Sequence, residues 1–189
     1  MKIFLILLII STQWLYLGQV NIVVAKENIS STQIFKLINK ERARANVSPL
    51  TLNNKLIQAA KNKAKDLAEK KYFDHNSPEG KQFSSWIKET DYKYSFIGEN
   101  LAINFQTEEA VINAWMKSSS HKENILEENF TETGIAIATN NEGKIIIVQI
   151  FGRPESDPIT LEQTIKNHIS EFIIYSTQEN YINKNLNIA

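Results

Sequence analysis

The chain of 189 residues contains no cysteine. Disulfide scaffolds, thiol nucleophiles, thiolate metal clusters and a lipid anchor on a cysteine are therefore all excluded. A charge surplus is missing too, since 21 Lys and Arg balance 21 Asp and Glu. A protein that reads nucleic-acid phosphates normally carries a basic excess, so no nucleic-acid partner is expected. Histidine is scarce, at 3, so any metal site must combine those imidazoles with carboxylates. The G-x-S-x-G elbow, the H-E-x-x-H zinc helix and the phosphate-binding G-x-x-x-x-G-K-[ST] loop are all absent. What remains is a globular composition, 42% hydrophobic and 22% charged, which excludes collagen-like, repetitive and disordered chains.

The N-terminus reads as an address. Lys2 precedes the apolar run Ile3 to Ile10, and Ala25 closes the triplet Val23-Val24-Ala25. This is the layout of a secretory signal peptide over residues 1–25 with cleavage near Ala25. The rival reading is an uncleaved anchor reaching Val24. Ser11, Thr12, Gln13, Gln19 and Asn21 interrupt it, which weakens a membrane-spanning helix. The expected product is a secreted protein with no transmembrane anchor after cleavage, folded without disulfides on a core of its own.

Periodicity organises the rest. Ser30-x-x-Gln33 is a capping box before a helix expected over about Thr32 to Ala45. A second helix is expected from about Asn53 to Lys71, its apolar stripe made by Leu56, Ala59, Ala60, Ala64, Leu67 and Ala68, with Lys61, Lys63 and Lys65 off it. Phe83 to Lys88 suits a short helix, and Phe96 to Ile103 an irregular segment passing into a short strand. Thr107 with Glu108 and Glu109 starts another helix. Gly134 to Thr139 and Lys144 to Phe151 flank the turn Asn140 to Gly143 and form a hairpin. The consecutive apolar residues Ile145 to Val148 predict a strand covered on both faces. The expected fold is α+β, a three-layer α/β/α sandwich with a central antiparallel sheet. Residues 31–153 form its domain. Residues 154–189 are a linker, an amphipathic helix through Leu161, Ile165, Ile169, Phe172 and Ile173, and a loose Asn-rich tail from Glu179.

Three side chains stand out chemically: His75 past the second helix, Glu99 in Gly98-Glu99-Asn100, and His121 after Ser118-Ser119-Ser120. Ser120 and Glu123 suggest a capping box, placing His121 in the first turn of a short helix, where the positive helix end disfavours protonation. A Ser–His pair beside His121 is tempting, but helix-start serines are the simpler reading, with no orienting Asp nearby. His168 falls in the tail helix as a surface or packing residue.

The pieces resemble the CAP superfamily, also called SCP or PR-1-like, in a cysteine-free bacterial branch. They are Asn39-x-x-Arg42, Pro49-Leu50, Phe73-x-His75-x-Ser77-Pro78-x-Gly80, Gly98-Glu99-Asn100-Leu101-Ala102, Trp115-x-x-Ser118-x-x-His121-x-x-Asn124-Ile125-Leu126, Phe130-x-x-x-Gly134-Ile135-Ala136 and Val148-Gln149-Ile150-Phe151-Gly152. The resemblance spans about Ile34 to Gly152 and implies the same sandwich, with a cleft where two His and two acids meet. The matching positions here are His75, Glu99 and His121. Where many relatives place the second acid, this chain has Met116, Lys117 and Ser118, so the tetrad is incomplete.

Two functions from different classes follow. One is an exported binding module for a lipid, peptide or protein ligand. Its cleft of His75, Glu99, Ser118 and His121 would suit a divalent cation, with His75 and His121 as zinc ligands. The other is a metal-assisted hydrolase, a peptidase, with Glu99 as candidate base. If Glu99 ligates the metal, no base is left, which favours binding. A third reading makes the trio a buried hydrogen-bonded network.

Overall fold

The computed structural model describes residues 29–156 and 158–186, so the expected signal peptide lies outside the described residues. The elements are α1 (Ser31–Arg44), β1 (Thr51–Leu52), α2 (Asn54–Lys70), α3 (Phe83–Lys88), β2 (Tyr94–Ile103), α4 (Glu108–Lys117), α5 (Ser119–Leu126), β3 (Glu132–Thr139), β4 (Ile145–Pro154) and α6 (Pro158–Leu186). Side-chain caps begin three of the helices. Ser30 Oγ accepts from the Gln33 amide, Asn53 Oδ1 from Lys55 and Leu56, and Thr107 Oγ1 from Ala110, each satisfying amides a helix start leaves orphaned. The Ser30 amide itself donates to Glu108 on α4 at 2.7 Å. The reciprocal bond of the expected capping box thus comes from α4 rather than from the Gln33 side chain, and it ties α1 to that neighbouring helix.

Four strands form one sheet in the order β1-β3-β4-β2. The three long strands pair antiparallel, and β1 adds a two-residue parallel pairing to β3. The alternation of a strand then sends side chains to two cores. Ala102, Ile135, Ile147 and Phe151 pack with α1, α4 and α5 through Ile34, Ile38, Val111, Trp115 and Ile125. Leu101, Ala136, Ile146, Val148 and Ile150 pack on the other face with α2 and α3 through Leu56, Ala60, Ala64, Leu67 and Trp86. This is the three-layer sandwich. The alanines of α2 let it approach the sheet so closely that a Cβ on Gly134 would overlap the backbone of Leu56 and Ile57.

The structure departs from expectation in four places. β2 is a ten-residue strand, with Glu99 and Asn100 buried in it. Lys63 is not on the solvent side of α2 but wholly buried. The N-cap of α5 is Ser118, so Ser120 lies inside the helix and forms no capping box. Finally, α6 runs through the Asn-rich stretch to Leu186, where a loose tail was expected.

Two polar side chains hold the layers in register. The buried guanidinium of Arg42 donates to the carbonyls of Ser48, Ile125, Glu127 and Phe130 at 2.7–3.0 Å. It thereby ties the end of α1 to the end of α5 and the entry to β3. Asn39 exchanges two hydrogen bonds with the backbone of Leu50, 3.0 and 2.8 Å. These contacts account physically for the spacing Asn39-x-x-Arg42.

Candidate functional site

The site lies along β2, an edge strand of the sheet. Gly98 is small because a Cβ there would meet the Phe130 ring at 2.8 Å and Asn124 Oδ1 at 3.2 Å. Its neighbours diverge. Glu99 faces the α2 side and Asn100 the α5 side, as alternation requires. Two edge carbonyls of β2, which have no strand to pair with, are capped by side chains. Asn124 Nδ2 donates to Glu99 O at 3.2 Å, and Trp115 Nε1 donates to Leu101 O at 3.0 Å. Asn124 also donates to Asn100 Oδ1 (2.9 Å), and Asn100 to the carbonyl of His121 (3.1 Å). The three-residue spacing Trp115, Ser118, His121, Asn124 thus serves to lay the α4–α5 junction along β2.

His75 sits in the loop after α2. Its Nδ1 lies 2.7 Å from Oε1 of Glu99. The imidazole is 53% exposed, whereas the carboxylate is 1% exposed. Oε2 of Glu99 is buried without a partner. Burial pushes the Glu99 carboxyl above its ordinary range, against the pull of His75 and Lys63. The hydrogen bond to Glu99 raises His75 above the ordinary imidazole value, against partial burial. The pair therefore holds its protons more firmly than free side chains do.

His121 lies in the first turn of α5. Its Nδ1 is 2.9 Å from Ser118 Oγ. The Ser–His contact discounted on sequence grounds does form, although no carboxylate bonds this imidazole. His121 is held below its ordinary value, chiefly by burial and then by the charge of His75. Sequence reasoning anticipated the direction but credited the helix end. The structure thus joins His75 directly to Glu99, and His121 to Ser118, and links the two pairs through Asn100 and Asn124.

Beside His121 an apolar slot of about 240 Å³ opens, lined by Phe73, Leu101, Ile103, Phe105, Trp115 and Ser118 among others. Phe73 stands at its margin, 43% exposed. Neither Phe73 nor Trp115 was expected to line the site. Their role at the slot emerges only when β2 and α4 are brought together.

A cation was expected on His75 and His121, with Glu99 beside them, and the residues do not form a complete centre for one. Among the described residues no group of three or more His, Cys, Asp or Glu side chains could hold a metal ion. Each imidazole already commits Nδ1, and Glu99 commits Oε1. What remains is one nitrogen on each imidazole and the buried Oε2 of Glu99, and the structure does not gather these three into one group.

Comparison with known proteins agrees with the fold. The family model for the cysteine-rich secretory protein family, CAP, matches residues 35–151. An uncharacterized protein of Bacillus subtilis (strain 168), YkwD, is 35% identical over 121 residues, covering 64% of this chain and 46% of that protein. The uncharacterized membrane protein YlbC of the same strain is 24% identical over 111 residues, covering 59% and 32%. The chain thus spans less than half the length of these curated relatives. Among solved structures, an extracellular SCP-domain protein from Bacillus anthracis superposes with a TM-score of 0.60 at 28% identity, over 65% of this chain and 39% of that one. An outer surface protein from Borrelia burgdorferi superposes with a TM-score of 0.62 at 25% identity, over 66% and 92%.

Proposed function

The chain belongs to the cysteine-rich secretory protein (CAP) family, and on that premise we propose that it is an exported binding module whose cleft beside β2 receives a ligand. One observation carries this reading. An apolar slot adjoins His121 and Ser118, on the same strand edge where His75 meets Glu99. A site of that kind takes an apolar group in the slot and a polar group on the imidazoles, the usual division of labour in ligand sites. The slot's 240 Å³ is below the range of about 300–1,000 Å³ typical for whole drug-sized ligands. It suits one side chain of a peptide or protein segment better than an entire sterol. Export is supported by the N-terminal pattern, and by relatives described as an extracellular protein and as an outer surface protein. Among the described residues no helix is long and apolar enough to cross a membrane.

No specific observation favours hydrolysis. The Glu99 carboxylate is 1% exposed and its Oε1 is held by His75, so it has little open surface from which to take a proton from an attacking water. The binding reading is tested by equilibrium binding to a pool of random N-acetylated hexapeptides. The Phe73→Ser and His121→Ala variants should each lose affinity about tenfold, with unfolding midpoints little changed. Equal binding by the wild type and both variants would refute the reading.

A further inference from the structure

Lys63 is a charged side chain with no exposed surface, and taking an ammonium out of water is costly unless each of its hydrogens is met. Here all three are met, and none by a carboxylate. Nζ donates to the carbonyls of Asp74 and His75, both at 2.9 Å, and to Tyr72 Oη at 3.1 Å. It also lies 4.3 Å from the centre of the Trp86 ring, a cation–π distance. A residue needed only to fill this space would be a leucine or methionine. We infer that Lys63 is the positioning residue of the cleft, gripping two consecutive carbonyls so that the imidazole of His75 is delivered onto Glu99.

The grip continues outward. Tyr72 donates to Asp66 at 2.6 Å, Lys70 bridges Asp66 and Glu79 at 2.9 and 3.0 Å, and Ser77 donates to Glu79 at 2.8 Å. The loop that carries His75 is thus fastened at its base by a buried ammonium and at its far side by a surface ion pair. The charged and titratable groups around Lys63 are Asp66 and Lys70 on α2, Tyr72 and Asp74 on the loop, and Glu99 on β2. Burial holds Lys63 below the ordinary lysine range, against the pull of Glu99, Asp66 and Asp74. The inference draws on the proposed ligand site only for its consequence in binding, and the order of the loop can be read with no ligand present.

The test is NMR of the protein with and without Lys63→Met, which keeps the aliphatic stem and removes the ammonium. In the wild type one lysine ammonium should be protected from exchange at neutral pH and show contacts to the Tyr72 and Trp86 rings. In Lys63→Met the hydrogen-bonded Nδ1 proton of His75 should disappear. The Ser77 and Lys81 amides, bonded within the loop, should exchange at least about tenfold faster, while α4 and α5 amides keep their protection. Affinity for the hexapeptide pool should fall with them. If Lys63→Met retains the His75 proton and the loop protection, the inference is overturned. If that variant does not fold, the wild-type ammonium decides. Exchange as fast as at surface lysines overturns the inference, and protection with the ring contacts supports it. Loss of loop order with unchanged peptide binding would uphold Lys63 and count instead against the ligand site.

Discussion

The Nδ1 of His75 lies 2.7 Å from Oε1 of Glu99, an imidazole half in solvent set on a carboxylate with almost no exposed surface. Both groups are shifted upward in the folded protein, so the folded pair binds protons more tightly than the unfolded chain. Its contribution to stability is present at low pH and is lost as pH rises through the raised folded values. The advantage of the wild type over a His75→Gln, Glu99→Gln double variant should therefore shrink as pH rises from about 5 to about 9, through and beyond the ordinary His range. Urea midpoints across that interval measure it. A constant or growing advantage contradicts the coupling.

Through its guanidinium Arg42 serves four backbone carbonyls at once. Replacing it with Met strands the carbonyls of Ser48, Ile125, Glu127 and Phe130. A loss of about 3 kcal/mol or more in urea unfolding is expected, given that bonds to a charged donor are worth about 1.5–3 kcal/mol each. A loss under about 1 kcal/mol would show that water or rearrangement satisfies those carbonyls.

Two glycines should respond differently to alanine. At Gly134 the new Cβ runs into the backbone of α2, which cannot step aside cheaply, whereas at Gly143 nothing lies within 4 Å and only φ of +76° is unfavourable. Gly134→Ala should cost about 3 kcal/mol, and Gly143→Ala about 1 kcal/mol. Thermal or urea unfolding separates them, and equal costs would argue against the close α2–β3 contact.

Ending the chain after Ser156 should leave the sandwich intact. The apolar side chains of α6 from Leu161 to Tyr175 that the structure describes remain half or more exposed, so removing them takes little from the core. The change expected in the stability of the sandwich is within about 0.5 kcal/mol. A clear drop would mean that α6 has an apolar partner in the body.

Much of this molecule was legible in its sequence, for identifiable reasons. α1 and α2 were readable to within a residue because Ser30 and Asn53 supply caps and the apolar spacing follows a helix. The β3–β4 hairpin was readable from Ile145 to Val148 and the polar turn before them. β2 was obscured because its middle carries Gly98, Glu99 and Asn100, residues a strand usually avoids, placed there to meet Phe130, His75 and Asn124. β1 is only two residues long, too short for any period. Lys63 was misread by residue type. It sits one heptad after Leu56 and four residues before Leu67, within the buried stripe, and its spacing outweighed its charge. His75 and Glu99 could be singled out by chemistry, but their direct bond depends on a loop held by Lys63, and no local pattern encodes that.

The central claim is a ligand cleft along the edge of β2, and chemical-shift mapping tests it most directly. On titration with the N-acetylated hexapeptide pool, saturable shifts should concentrate at Phe73, His75, Leu101, Trp115, Ser118 and His121 and leave α6 unmoved. Saturable shifts confined to other surfaces, or none at millimolar peptide, would contradict the account.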